Sequence, residues 1–162
     1  MPRILVAGIG NIFLGDDGFG VAVAGRLLAD GAGESADVVD YGIRGLHLAY
    51  ELASGRYDAA ILIDAVSRGG APGDVCAIEA DSSAFAPDNV LSDAHGLTPE
   101  RVLAWVRMVS PERALRVVVV GCEPETLDEA MGLSPKVAAS VDLAMRMVRD
   151  LVAEMSGAPA CA

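Results

Sequence analysis

The stretch Arg3-Ile4-Leu5-Val6-Ala7-Gly8-Ile9-Gly10-Asn11 decides the fold. Residues 3–9 hold a continuous apolar run that glycines bring to an end. A run this short, apolar on both sides of the pleat, reads as a strand buried in a parallel sheet with helices on both faces. Working outward, the pattern turns helical from Gly18, with Val21, Val23, Ala24, Leu27 and Leu28, and stops at Gly31 and Gly33. Residues 36–39 predict a short strand ending in Asp40, residues 45–52 a brief helix, and residues 58–63 another buried strand with Asp64 at its end.

Farther along, the turn Gly69-Gly70-Ala71-Pro72-Gly73 leads into a strand over residues 74–80. Residues 81–97 are polar and irregular, a surface loop that carries His95. Thr98 caps a helix with Pro99 at its first position, and Val102, Leu103, Val106 and Val109 share one face of it. Residues 115–120 form the strongest strand, with four consecutive valines closed by Gly121. Ser134-Pro135 opens a long helix whose Val137, Val141, Met145, Val148 and Val152 recur at helical spacing. Strands alternating with helices predict a single-domain three-layer α/β/α sandwich with a mostly parallel central sheet, over residues 1–156, followed by a flexible tail at 157–162.

Composition narrows the partners. The 162 residues hold 12 Lys+Arg against 23 Asp+Glu, a formal charge of −11. No basic stripe is present to displace counterions from a phosphate backbone, so nucleic acid is excluded, and an anionic leaflet with it. With 52% hydrophobic and 22% charged residues the chain is not disordered. No apolar run is long enough to insert into a membrane or to serve as a signal peptide. Cys76, Cys122 and Cys161 are odd in number and lack C-x-x-C spacing, so neither a disulfide framework nor a thiolate zinc site is expected. Reduced thiols and a cytoplasmic location follow as the expectation.

Ligands of open α/β sheets gather beyond the carboxyl ends of the strands. Gly8-x-Gly10 is similar to the start of a dinucleotide fingerprint, but Phe13 stands where the third glycine belongs. Asp16 and Asp17 would also repel a pyrophosphate at the helix N-terminus. Taken singly, these two acids read as helix caps, Asp64 as a strand-end carboxylate held by backbone amides, His95 as a solvated loop histidine, and His47 as packing or surface. Taken together, Asp16 or Asp17, Asp64 and His95 make a mixed oxygen and nitrogen set suited to a borderline divalent metal such as nickel or zinc. No G-x-S-x-G elbow supplies a serine nucleophile. Cys122 is the one thiol that could pair with His95, although an inert buried cysteine is the commoner case.

The ordered blocks Gly8-x-Gly10-Asn11, Gly15-Asp16-Asp17-Gly18-Phe19-Gly20, Asp40-x-Gly42-x-x-Gly45, Ile63-Asp64-Ala65, His95-Gly96-Leu97, Gly121-x-Glu123-Pro124 and Gly132-Leu133-Ser134-Pro135 resemble the hydrogenase maturation proteases. The resemblance runs from Arg3 to about Val152. It implies an endopeptidase that recognises nickel in the precursor of a NiFe hydrogenase large subunit and removes its C-terminal extension. It places the metal-contacting and catalytic set on Asp17, Asp64 and His95, with Asp16 as the fallback ligand and the Asp40-Tyr41-Gly42 turn lining the cleft. The first acid is commonly Glu in the family, so Asp17 is one methylene shorter. Nickel would arrive on the precursor, and no organic cofactor is implied. Two other functions stay open on the residues alone: a non-proteolytic chaperone that binds nickel or precursor, and a nucleotide-binding oxidoreductase.

Overall fold

The computed structural model describes residues 1–80 and 98–157. Among them five strands form one sheet, in the order β2-β1-β3-β5-β4. They are β1 (Ile4–Ile9), β2 (Ala36–Gly42), β3 (Ala59–Ala65), β4 (Val75–Ala80) and β5 (Arg116–Cys122). The first three and β5 are mutually parallel, and β4 runs antiparallel along β5 at the edge. The helices are α1 (Phe19–Asp30), α2 (Gly45–Ala53), α3 (Pro99–Val109), α4 (Pro135–Ala138) and α5 (Val141–Ser156).

The two faces of the sheet explain the apolar runs. Ile4 and Val6 point into one core with Phe19, Val23 and Leu27 of α1 and Met145 and Val148 of α5. Leu5, Ala7 and Ile9 point the other way, against Leu48 and Leu52 of α2 and Val102 and Val106 of α3. Both sides of the pleat are therefore dry, and each large aliphatic side chain so buried contributes roughly 1.5–3 kcal/mol. The three-layer α/β/α sandwich is the one the alternation predicts, and no helix among the described residues is long and apolar enough to cross a membrane.

Four local expectations are corrected. The long helix after Ser134-Pro135 is two helices, α4 and α5, broken at Ala139-Ser140. There the Ser140 hydroxyl donates to the carbonyls of Gly73 and Lys136, although Val137 and Val141 are both buried. The strand begun at Ala36 continues past Asp40 to Gly42, and its register with β1 shifts between Gly8 and Ile9 so that Tyr41 is bulged out. The valine strand runs from Arg116 to Cys122 and so includes Gly121. Val109, at the end of α3, lies outside the core face and is exposed.

Strand order reverses between β1 and β3, since the chain leaves β1 for β2 on one side and returns to β3 on the other. A crevice opens at the carboxyl ends of the strands at such a switch point. Here α1 is drawn unusually close. A Cβ on Gly20 would lie 2.0 Å from the Ile63 carbonyl oxygen and 2.3 Å from that of Ile9, and one on Gly8 would lie 2.4 Å from the Gly20 oxygen. Only hydrogen at these positions lets the helix start seat itself on the ends of both strands.

Candidate active site at the strand switch point

The loop after β1 makes a 3-10 turn over Gly15–Gly18 before α1 begins, and this turn carries both Asp16 and Asp17. Neither caps α1, whose N-cap position is Gly18 and which receives no side-chain cap bond. Asp17 turns back toward β1, where its Oδ2 accepts the Asn11 N–H at 2.8 Å. Gly10 makes the approach possible. Its φ is +138°, a conformation that glycine favours, and a Cβ there would sit 1.8 Å from the Asp17 carbonyl oxygen. The same Cβ would stand 3.7 Å from Asp64 Oδ1, so Gly10 lies between the two acids.

Asp64 closes β3 and is only 7% exposed. Its Oδ1 accepts its own neighbour's amide, the Ala65 N–H, at 2.8 Å. Burial pushes its carboxyl well above the usual range, the negative charge of Asp17 pushes the same way, and Glu100 adds to it; the Ala65 N–H bond opposes them. Glu100 lies in the first turn of α3, near enough for its charge to act on Asp64. A buried acid raised by a neighbouring acid, set in a crevice at a switch point, is the electrostatic signature of a functional group.

Asp16 points elsewhere. It is fully buried, and its Oδ1 accepts the Ser134 N–H at 2.7 Å. Its Oδ2 accepts the N–H groups of Glu125 at 2.8 Å and Thr126 at 3.1 Å and the Ser134 hydroxyl at 2.9 Å. Burial works against its charge, but the bonds from Ser134, Thr126 and Glu125 outweigh it and hold the carboxyl below its ordinary value. Both the capping role and the fallback-ligand role expected for Asp16 are thus corrected. Its oxygens are committed to the loop that follows β5, and that loop is thereby tied to the turn bearing Asp17.

The Asp40-Tyr41-Gly42 segment reaches the same edge, where the Gly10 N–H donates to the Gly42 carbonyl at 3.0 Å. Arg44 folds back over it, donating to the carbonyls of Asp40 and Tyr41. His47 lies exposed on α2. His95 and Cys161 lie outside the described residues. Among the described residues no three His, Cys, Asp or Glu side chains gather as a metal-binding group, and Asp17 and Asp64 are the members of the expected set that the structure brings together. Cys122 is buried at the end of β5, and its thiol is pushed up to about 11, by burial first and then by the charge of Asp16. Such a thiol is not poised for attack at neutral pH. From the sequence alone Asn11 and Glu100 had no role, and Ser134 only that of opening a helix; Asn11 and Ser134 stood in the quoted blocks Gly8-x-Gly10-Asn11 and Gly132-Leu133-Ser134-Pro135, and Glu100 in the first turn after Pro99.

The fold is shared with processing endopeptidases. The chain superposes on the hydrogenase maturating endopeptidase HybD from Escherichia coli with a TM-score of 0.73 at 29% identity, covering 96% of this chain and 94% of that one. It is 32% identical to the hydrogenase 2 maturation protease of Escherichia coli (strain K12), over 90% of this chain and 88% of the relative. It is 33% identical to the hydrogenase expression/formation protein HupD of Rhodobacter capsulatus, over 92% of this chain and 71% of the relative. The family model described as hydrogenase maturation protease matches residues 21–151. The chain belongs to that family.

Proposed function

We propose that this chain recognises nickel in the precursor of a NiFe hydrogenase large subunit and removes the precursor's C-terminal extension. The observation that carries the reading is the Asp17–Asp64 pair. Two carboxyl groups share a crevice, one of them buried, and among the described residues the bonds they accept come from the backbone N–H groups of Asn11 and Ala65. Burial first, and then their mutual repulsion, raise Asp64, and an arriving divalent cation would reverse that balance by taking both as ligands and releasing the Asp64 proton.

On this reading nickel is cargo of the substrate. Asp17, Asp64 and His95 touch it, which makes the metal both the mark that the precursor is ready and a Lewis acid toward the scissile carbonyl. Water adds to that carbonyl while a carboxylate of the pair takes its proton. The C–N bond then breaks and the proton passes to the leaving amine, freeing the extension. The free thiols of Cys76 and Cys122 support a reducing compartment, and we place the reaction in the cytoplasm.

Intact mass spectrometry of a nickel-loaded large-subunit precursor, before and after incubation with this protein, tests the reading. The expected result is loss of the extension's mass from loaded precursor and none from nickel-free precursor. Cleavage of both forms alike would remove nickel from the recognition step, and unchanged mass in both would remove the protease activity.

A further inference from the structure

Loops that follow the carboxyl ends of β1, β2 and β5 surround the crevice, and they hold large apolar side chains in water. Ile12 and Phe13 follow β1, Ile43 follows β2, and Leu127 and Met131 follow β5; Phe13 is 60%, Ile43 76% and Met131 71% exposed. The side chains are held out by rigid backbone. Phe13 receives the Ala130 N–H on its carbonyl and gives its own N–H to Asn11 Oδ1, and the Gly15 N–H is donated to the Ala130 carbonyl. Gly10 is bonded to Gly42, immediately before Ile43, while the Asp16 carboxylate fixes Glu125, Thr126 and Ser134. The three loops are laced together by these bonds, and the side chains they carry stand exposed. Apolar side chains fixed in water around one crevice mark an interaction surface, and Phe, Met and Ile suit the core of a protein interface.

We infer that this apolar rim docks the folded body of the nickel-loaded large-subunit precursor, so that the substrate is bound as a protein surface and not only by its tail. The inference rests on the function proposed above. A member of a protease family must bring a protein to this edge, and the loops of β1, β2 and β5 border the crevice that holds Asp17 and Asp64. The occupant's complementary face is therefore apolar and lies around its metal site. The rim supplies affinity, whereas the acids beneath it read the metal.

The test measures both binding and cleavage of a nickel-loaded large-subunit precursor that retains its extension. Phe13→Ser combined with Met131→Ser, and Ile43→Ser alone, are compared with Leu28→Ser and Leu143→Ser, which remove exposed leucines from α1 and α5. The expected result is a Kd and KM raised about tenfold or more in the rim variants, with kcat within about twofold, and no such change in the helix variants. Thermal melts that match the parent confirm that the rim variants are folded. If the parent binds and cleaves but the rim variants bind as well as the helix variants, the rim is not the docking surface, and the proposed activity stands. If the parent binds through the rim without cleaving, the docking surface stands and the activity falls. If the parent neither binds nor cleaves, both fall.

Discussion

Asp16 and Ser134 stand 118 positions apart and meet at two points: the Ser134 N–H donates to Oδ1 at 2.7 Å and its hydroxyl donates to Oδ2 at 2.9 Å. With the amides of Glu125 and Thr126 also on Oδ2, one buried carboxylate joins the Asp17 turn to the loop after β5. Asparagine cannot reproduce this arrangement, because its amide nitrogen would face N–H donors. Asp16→Asn should cost about 2–4 kcal/mol, read as a lower urea midpoint at an unchanged slope. The carboxyl is held below its ordinary value, so its contribution is present above the unfolded value of 3.8 and lost as pH falls through the folded one. The gap between parent and variant should therefore narrow on acidification, and a gap that widens would contradict the assignment.

Asp64 has the opposite sign. Burial and the charge of Asp17 raise its carboxyl, so the folded state favours the protonated form, and its contribution is full below 3.8 and is lost as pH rises through the folded value. Asp64→Asn keeps an oxygen for the Ala65 N–H and stays neutral. Melting temperatures should be alike near pH 4 and should favour the variant increasingly toward neutral pH, while precursor cleavage is lost. A variant less stable than the parent at neutral pH would show that Asp64 is not destabilised as described.

Two glycines of one region should respond in opposite ways. Gly20→Ala places a methyl group 2.0 Å from the Ile63 carbonyl oxygen and should cost more than about 3 kcal/mol or prevent folding. Gly25, on the exposed side of α1, has nothing within 4 Å of an added Cβ. Gly25→Ala should raise stability by about 0.5–1 kcal/mol, because alanine is the better helix former. Equal effects of the two substitutions in a denaturation series would refute the close seating of α1.

Cys122 is buried and its thiol is raised to about 11. Cys122→Ala should leave kcat for precursor cleavage within about threefold, with a loss of about 1 kcal/mol from the missing sulfur's packing. A loss of activity of a thousandfold or more in a folded variant would revive the thiol as nucleophile.

The sandwich was legible because β1, β3 and β5 are dry on both faces, so their apolar runs announce buried parallel strands, and Asp64 is announced by the end of such a run. What lies between elements was not. Val137 and Val141 keep helical spacing across the break at Ser140, and the partner that draws Ser140 aside is the carbonyl of Gly73, on a distant turn. Asp16 and Asp17 are adjacent acids of the same kind in the sequence; what separates them is that one meets Asn11 next door and the other meets amides more than a hundred residues away. Local patterning carries no trace of such partners. The gap at Gly8-x-Gly10 is similar: the glycines that suggested a nucleotide admit α1 and Asp17 instead.

The Asp16 tether also sets an order of events during synthesis. Its partners lie 109, 110 and 118 residues downstream, so the first strand, its turn and β3 leave the ribosome long before the segment that fixes them. A nascent chain ending at Cys122 already contains β1 to β5 and both Asp17 and Asp64, yet it lacks Glu125, Thr126 and Ser134, which hold the Asp16 carboxylate. The Asp17–Asp64 pair is thus among the last features to become rigid, and a truncated product keeps the acids without the frame that aims them.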